Sequence, residues 1–150
     1  MLPAAAAVVF CWLGMVLAIS FLEAPLKFQA PGITVQLGLG IGRLVFRALN
    51  AVEIVLAAVV VGALAVEPPG IRAPAAVAAA VAVATLIVQL TAVRPRLRRR
   101  SDAVLAATEQ PPGGMRDRSR AHYVYAGLET VKVGALLTAG VALQILALRG

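Results

Sequence analysis

His122, Tyr125, Glu129 and Lys132 are separated by 3, 4 and 3 positions inside a stretch, HYVYAGLETVKVGALLTAG, that is otherwise apolar. At about 3.6 residues per helical turn, this spacing sets all four in one stripe. The chemistry open to such a stripe is acid–base: a carboxylate such as Glu129 takes up a proton, and Lys132 or His122 gives one or polarises a carbonyl. The same groups can instead hold the polar head of a lipophilic molecule. Arg43, Arg47, Asn50 and Glu53, spaced by 4, 3 and 3 positions, form a second stripe earlier in the chain.

The elements that carry these stripes must be membrane helices. The chain has 150 residues, 61% of them hydrophobic, and a mean hydropathy of +0.90. A water-soluble domain of that composition would expose a very large apolar surface. Four runs, 3–22, about 42–66, 74–93 and 121–148, suit a hydrocarbon core that takes roughly 20 apolar residues per helix. The sequence therefore predicts a single all-α domain, a four-helix transmembrane bundle. The first run has no Lys or Arg ahead of it and is longer than a signal-peptide core, so it reads as a retained helix.

Basic residues orient the bundle. The chain has 14 of them against 7 acids, and segment 94–120, RPRLRRRSDAVLAATEQPPGGMRDRSR, holds eight against three. Short loops rich in Lys and Arg stay in the cytoplasm. Lys27, Arg43 and Arg47 flank the first connection and fall on the same side. Both termini and the EPPGIRAP turn then face outward, and the expected location is the cytoplasmic (inner) membrane of a bacterium. Because RPRLRRR directly follows a membrane helix and lacks interleaved aromatics, it reads as a topology signal in contact with anionic lipid, not as a nucleic-acid site.

Local signals complete the layout. Ser101 is placed to cap a short helix over DAVLAATE, which PPGG ends. The first connection, EAPLKFQAPGITVQLGLGIGR, is apolar and broken by Pro25 and Pro31, and is expected to lie along the interface. Its GLGIG glycines lack the spacing and the strand-to-helix setting of a dinucleotide fingerprint and read as a flexible entry to helix two. The alanines of APAAVAAAVAVA offer a thin packing surface. Ala126, Thr130, Gly134 and Thr138 offer a second edge that suits close helix packing.

With this orientation, helices two and four rise in the same direction. Glu53 stands ten positions beyond Arg43, and Lys132 ten beyond His122, so each is roughly 15 Å deep, near mid-membrane. An unpaired charge there costs at least about 2.5 to 3.5 kcal/mol. The expected pairings are Glu53 with Lys132 and Glu129 with Arg47 or Asn50, with Glu23 and Tyr125 near the cytoplasmic mouth. Intramembrane charge pairs can serve only to fix which helices associate. So many polar groups at one level point further, to a cavity that binds a ligand or does chemistry.

Several chemistries drop out. One histidine cannot supply two axial haem ligands, and no His, Cys or carboxylate cluster has metal spacing. Both aspartates, Asp102 and Asp117, lie in the basic segment, leaving none in the helices to hold magnesium on a diphosphate. Ser20, the one serine within the four runs, has no adjacent histidine. Cys11, the only cysteine, forms no intrachain disulfide or CxxC pair and is expected as a small packing residue. No metal or cofactor is expected.

Three functions remain. The first is binding or transport of an amphipathic or hydrophobic small molecule, with Arg43, Arg47, Asn50, Tyr125 and Glu23 lining the site and proton exchange at a buried glutamate. The second is an intramembrane enzyme on a lipophilic substrate, with Glu53 or Glu129 as general base and Lys132 or His122 as acid. The third is a non-catalytic subunit whose charges meet a homo-oligomeric or other membrane partner. Ala24, Pro25 and Phe28 after helix one, Gly42 and Arg43 entering helix two, and His122 opening helix four resemble the motifs of small four-helix bacterial membrane proteins of unknown function. That resemblance implies the architecture and no activity.

Overall fold

The computed structural model describes residues 1–106 and 118–149, with side chains outside the description at 69–72, 100–101, 103–106 and 118–122. Four long helices result. Helix α1 runs over Leu2–Gln29, α2 over Val35–Ala65, and α4 over Arg118–Arg149. Helix α3 passes without a break through Pro69–Val88, Gln89–Val93 and Arg94–Ala106. All four are long and apolar enough to cross a membrane. Exposed Leu44, Ile54, Val55, Val77, Ile87 and Val131 cover the outside of the bundle with side chains suited to lipid.

Helix α1 runs past the expected 22 to Gln29 and takes in part of the first connection, and two further boundaries differ from the sequence expectation. Helix α2 starts at Val35, well before 42, because the turn at Pro31 and Gly32, the latter at φ +78°, delivers Thr34 as an N-cap. The Thr34 hydroxyl accepts from the Leu37 amide at 3.1 Å. The GLGIG glycines therefore lie inside the helix, where they admit neighbours from α1. A Cβ at Gly38 would collide with the Phe28 ring, and one at Gly42 would sit 2.8 Å from Lys27 Nζ. At the other boundary, α3 continues through the arginines and past Ser101, which does not start a helix of its own. Arg and Leu are good helix formers, and nothing between 96 and 106 breaks the ladder. Residues 107–117, including PPGG, lie outside the description.

In two places a helix widens into π geometry: Leu17–Glu23 in α1 and Gln89–Val93 in α3. Each ends two residues before a proline, Pro25 and Pro95. A proline has no N–H to donate and crowds the carbonyl four residues earlier, so the wider turn relieves the clash without breaking the helix.

The helices pack in a ring, with α4 against α3 and α1, and α2 against α1 and less extensively α3. The alanine face of α3, Ala75, Ala78, Ala79 and Ala82, is buried as expected and brings α4 close. At Gly140 of α4 a Cβ would stand 2.8 Å from the Phe10 ring of α1. By contrast, Thr130, Gly134 and Thr138 face out of the bundle. The two hydroxyls turn back onto the Ala126 and Gly134 carbonyls at 3.0 and 2.8 Å. Cys11 is also exposed, since α1 turns Val9, Trp12, Leu13 and Val16 inward instead.

Candidate functional site

The half of the bundle nearer Met1 and the 66–68 turn is a dry core of Val9, Val60, Leu64, Ala75, Leu136, Leu143 and their neighbours. At mid-bundle this core gives way to charge. Lys132 Nζ, on a fully buried side chain, donates to Glu53 Oε1 at 2.6 Å and to Gln89 Oε1 at 2.8 Å. It also lies 3.2 Å from Glu129 Oε2, one turn back on the same helix. Trp12 Nε1 donates to the same Glu53 oxygen at 2.9 Å. All four helices thus meet at one level, and Trp12, Glu53, Gln89, Glu129 and Lys132 are each 2% exposed or less.

The two carboxylates are served unequally. Glu53 Oε1 accepts two hydrogen bonds, whereas neither oxygen of Glu129 accepts one of good geometry. Tyr125, a turn earlier on α4, approaches the Glu129 carboxylate without completing such a bond. The Gln89 amide nitrogen is likewise without an acceptor. Polar atoms this deeply buried are normally bonded, so the Gln89 amide nitrogen and the Glu129 carboxylate, whose close ionic partner is Lys132 at 3.2 Å, leave the hydrogen bonding of the cluster incomplete.

One layer nearer the basic segment lies a lid of aromatic and cationic groups. Phe46 precedes Glu53 by seven residues and Tyr125 precedes Lys132 by seven, a rise of about 10 Å along each helix. The two rings meet edge to face at 5.7 Å. Lys27 Nζ and the Arg94 guanidinium stand 5.5 and 5.7 Å from the Phe46 ring centre, within cation–π range. Arg94 also donates to the Phe46 carbonyl at 2.7 Å. Glu23 pairs with Lys27 at 3.3 Å, and farther out Arg43 pairs with Asp102 at 2.6 Å.

Of the residues expected to act together, Glu53, Glu129 and Lys132 share one cluster, and the Glu53–Lys132 pair is present as expected. The expected partners of Glu129 are not. Arg47 is exposed, and Asn50, though buried, does not bond to it. The reason is angular: six residues of helix carry Arg47 about 120° round from Glu53, so a 4-3-3 spacing spreads into a wide arc. Tyr125 and Glu23 belong to the lid layer, and Arg43 to the outermost ion pair. His122 lies on α4, and its side chain is outside the described residues. Trp12 and Gln89 are absent from the sequence reading, yet each carries a visible signal. A tryptophan deep in an apolar run needs an acceptor for its N–H, and an amide in LIVQLTAV needs partners for both ends.

Comparison with known protein families, with curated proteins and with solved structures gives no match. The likeness to small four-helix bacterial membrane proteins rests on the short motifs alone.

Proposed function

We propose that this chain is an integral membrane protein of the bacterial cytoplasmic membrane that binds and moves an amphipathic or hydrophobic small molecule, whose polar head engages the cluster at Glu129. The observation that carries this reading is the incomplete bonding of the cluster. A network built only to hold helices together is fully satisfied, whereas Glu129 and Gln89 keep polar atoms unbonded in the interior. The dry core closes the cluster toward the Met1 end, so the head enters from the lid side, past Phe46 and Tyr125.

An enzymatic reading draws on the same feature, since an unbonded buried carboxylate is also a candidate general base. Native mass spectrometry of the protein extracted in mild detergent separates the readings. A small amphiphile retained with the unaltered protein and lost in Glu129→Gln supports binding. Conversion of that amphiphile by the purified protein supports the enzyme. A stoichiometric partner chain with no small molecule supports the subunit reading and overturns both.

A further inference from the structure

The buried charges at mid-bundle do not balance. Glu53 and Glu129 bring two carboxylates, each 1% exposed, and Lys132 brings one ammonium at 0%. An uncompensated charge in a low-dielectric interior is strongly disfavoured. Among the described residues, the other cations nearby are committed elsewhere. Arg94 of α3 is tied to the Phe46 carbonyl, Lys27 of α1 to Glu23, and Arg43 of α2 to Asp102. Arg47 of α2 is exposed. The remaining polar neighbour of Glu129 is the Tyr125 phenol on its own helix. The cluster therefore has room for one more unit of positive charge.

The vacancy in bonding falls on Glu129, because Glu53 is already held by Trp12 and Lys132. Its surroundings suit a positive group on an organic body. Phe46 and Tyr125 form the next layer toward the basic segment, and the Phe46 ring already draws two cations to its vicinity. Resting on the ligand-binding reading above, we propose that the ligand is a lipophilic monocation, and that its charged head takes its place at Glu129, where it supplies the second positive charge that the two carboxylates lack.

The chain supplies its own reporter, since Trp12 is the one tryptophan and its N–H is bonded to Glu53 at 2.9 Å. The unaltered protein in phosphatidylcholine nanodiscs is titrated with two lipophilic cations, tetraphenylphosphonium and the slimmer octyltrimethylammonium. Tetraphenylborate, octyl sulfate and the uncharged octanol serve as counterparts. Trp12 emission reports binding. Saturable binding of a cation is expected, with none of the anions or of octanol, and Glu129→Gln should weaken cation binding by about tenfold or more.

Cation binding of equal strength in Glu129→Gln overturns the placement of the head at Glu129. Saturable binding of the anions or of octanol, with none of the cations, overturns the monocation while leaving the ligand-binding reading in place. Silence from every probe, together with no amphiphile retained on purification, overturns both. The choice of cations over their anionic and uncharged counterparts is read on the unaltered protein, so the inference stays testable even where Glu129→Gln fails to fold.

Discussion

Removing Lys132 should be far more damaging than removing the charge of Glu129, although the two residues touch. Lys132 faces Glu53 at 2.6 Å and Glu129 at 3.2 Å. At an effective dielectric of about 20, these separations correspond to attractions of about 6 and 5 kcal/mol. Each ion has paid a desolvation penalty of several kcal/mol to be there. Lys132→Met removes both attractions and strands two carboxylates in the interior, so its net cost should be about 3 to 5 kcal/mol. Glu53→Leu should fall in the same range, since it also orphans the Trp12 N–H. Glu129→Gln loses one attraction but also one buried charge and its repulsion with Glu53, and should change stability by no more than about 1 kcal/mol. Adding Glu129→Gln to Lys132→Met should recover part of the loss, because one of the stranded carboxylates is gone. The measurement is unfolding by sodium dodecyl sulfate in mixed micelles, followed by far-ultraviolet circular dichroism. Equal costs for Lys132→Met and Glu129→Gln, or a larger cost for Glu129→Gln than for Glu53→Leu, would refute the charge-count argument.

Two further outcomes are expected. On a Cys11→Ala background, single cysteines at positions 101 and 150 should react with a membrane-impermeant maleimide from opposite sides of the membrane, with 101 cytoplasmic; reaction from one side only would defeat the orientation inferred from loop charge. Gly140→Leu should destabilise the bundle by about 1 to 3 kcal/mol because the Phe10 ring must move, whereas Gly134→Leu, with open space around its Cβ, should be near neutral by the same unfolding assay.

The architecture was legible because hydropathy and proline placement act over whole segments. Four apolar runs of membrane-spanning length leave few alternatives to a helical bundle. Boundaries were less legible where two signals competed. In QLGLGIGR the glycines read as a flexible entry, whereas in the structure Thr34, accepting from the Leu37 amide, starts the helix early. Capping prevailed because those glycines also serve tertiary contacts, with Phe28 and Lys27 lying where a larger side chain would stand. Likewise the small-residue edge of α4 read as a packing seam, but periodicity alone cannot say which of two faces a neighbour will take. The inner face went to Leu136, Ala139 and Leu143.

Within the site, the Glu53–Lys132 pair was legible because depth is additive along a helix and both residues lie ten positions past a polar boundary residue. The partners of Glu129 were not, because the angle between side chains accumulates at about 100° per residue and a small error in choosing the face reassigns a bond. Gln89 was hidden for a related reason. It opens the π turn ahead of Pro95, and a residue added to a turn rotates everything beyond it relative to an ideal helix. Yet the proline that causes the widening is plain in the sequence, as Pro25 is in α1. Both π turns lie between the charged cluster and the lid. Pro95, six residues past Gln89, and Pro25, thirteen past Trp12, are thus readable signs of where this bundle departs from simple packing.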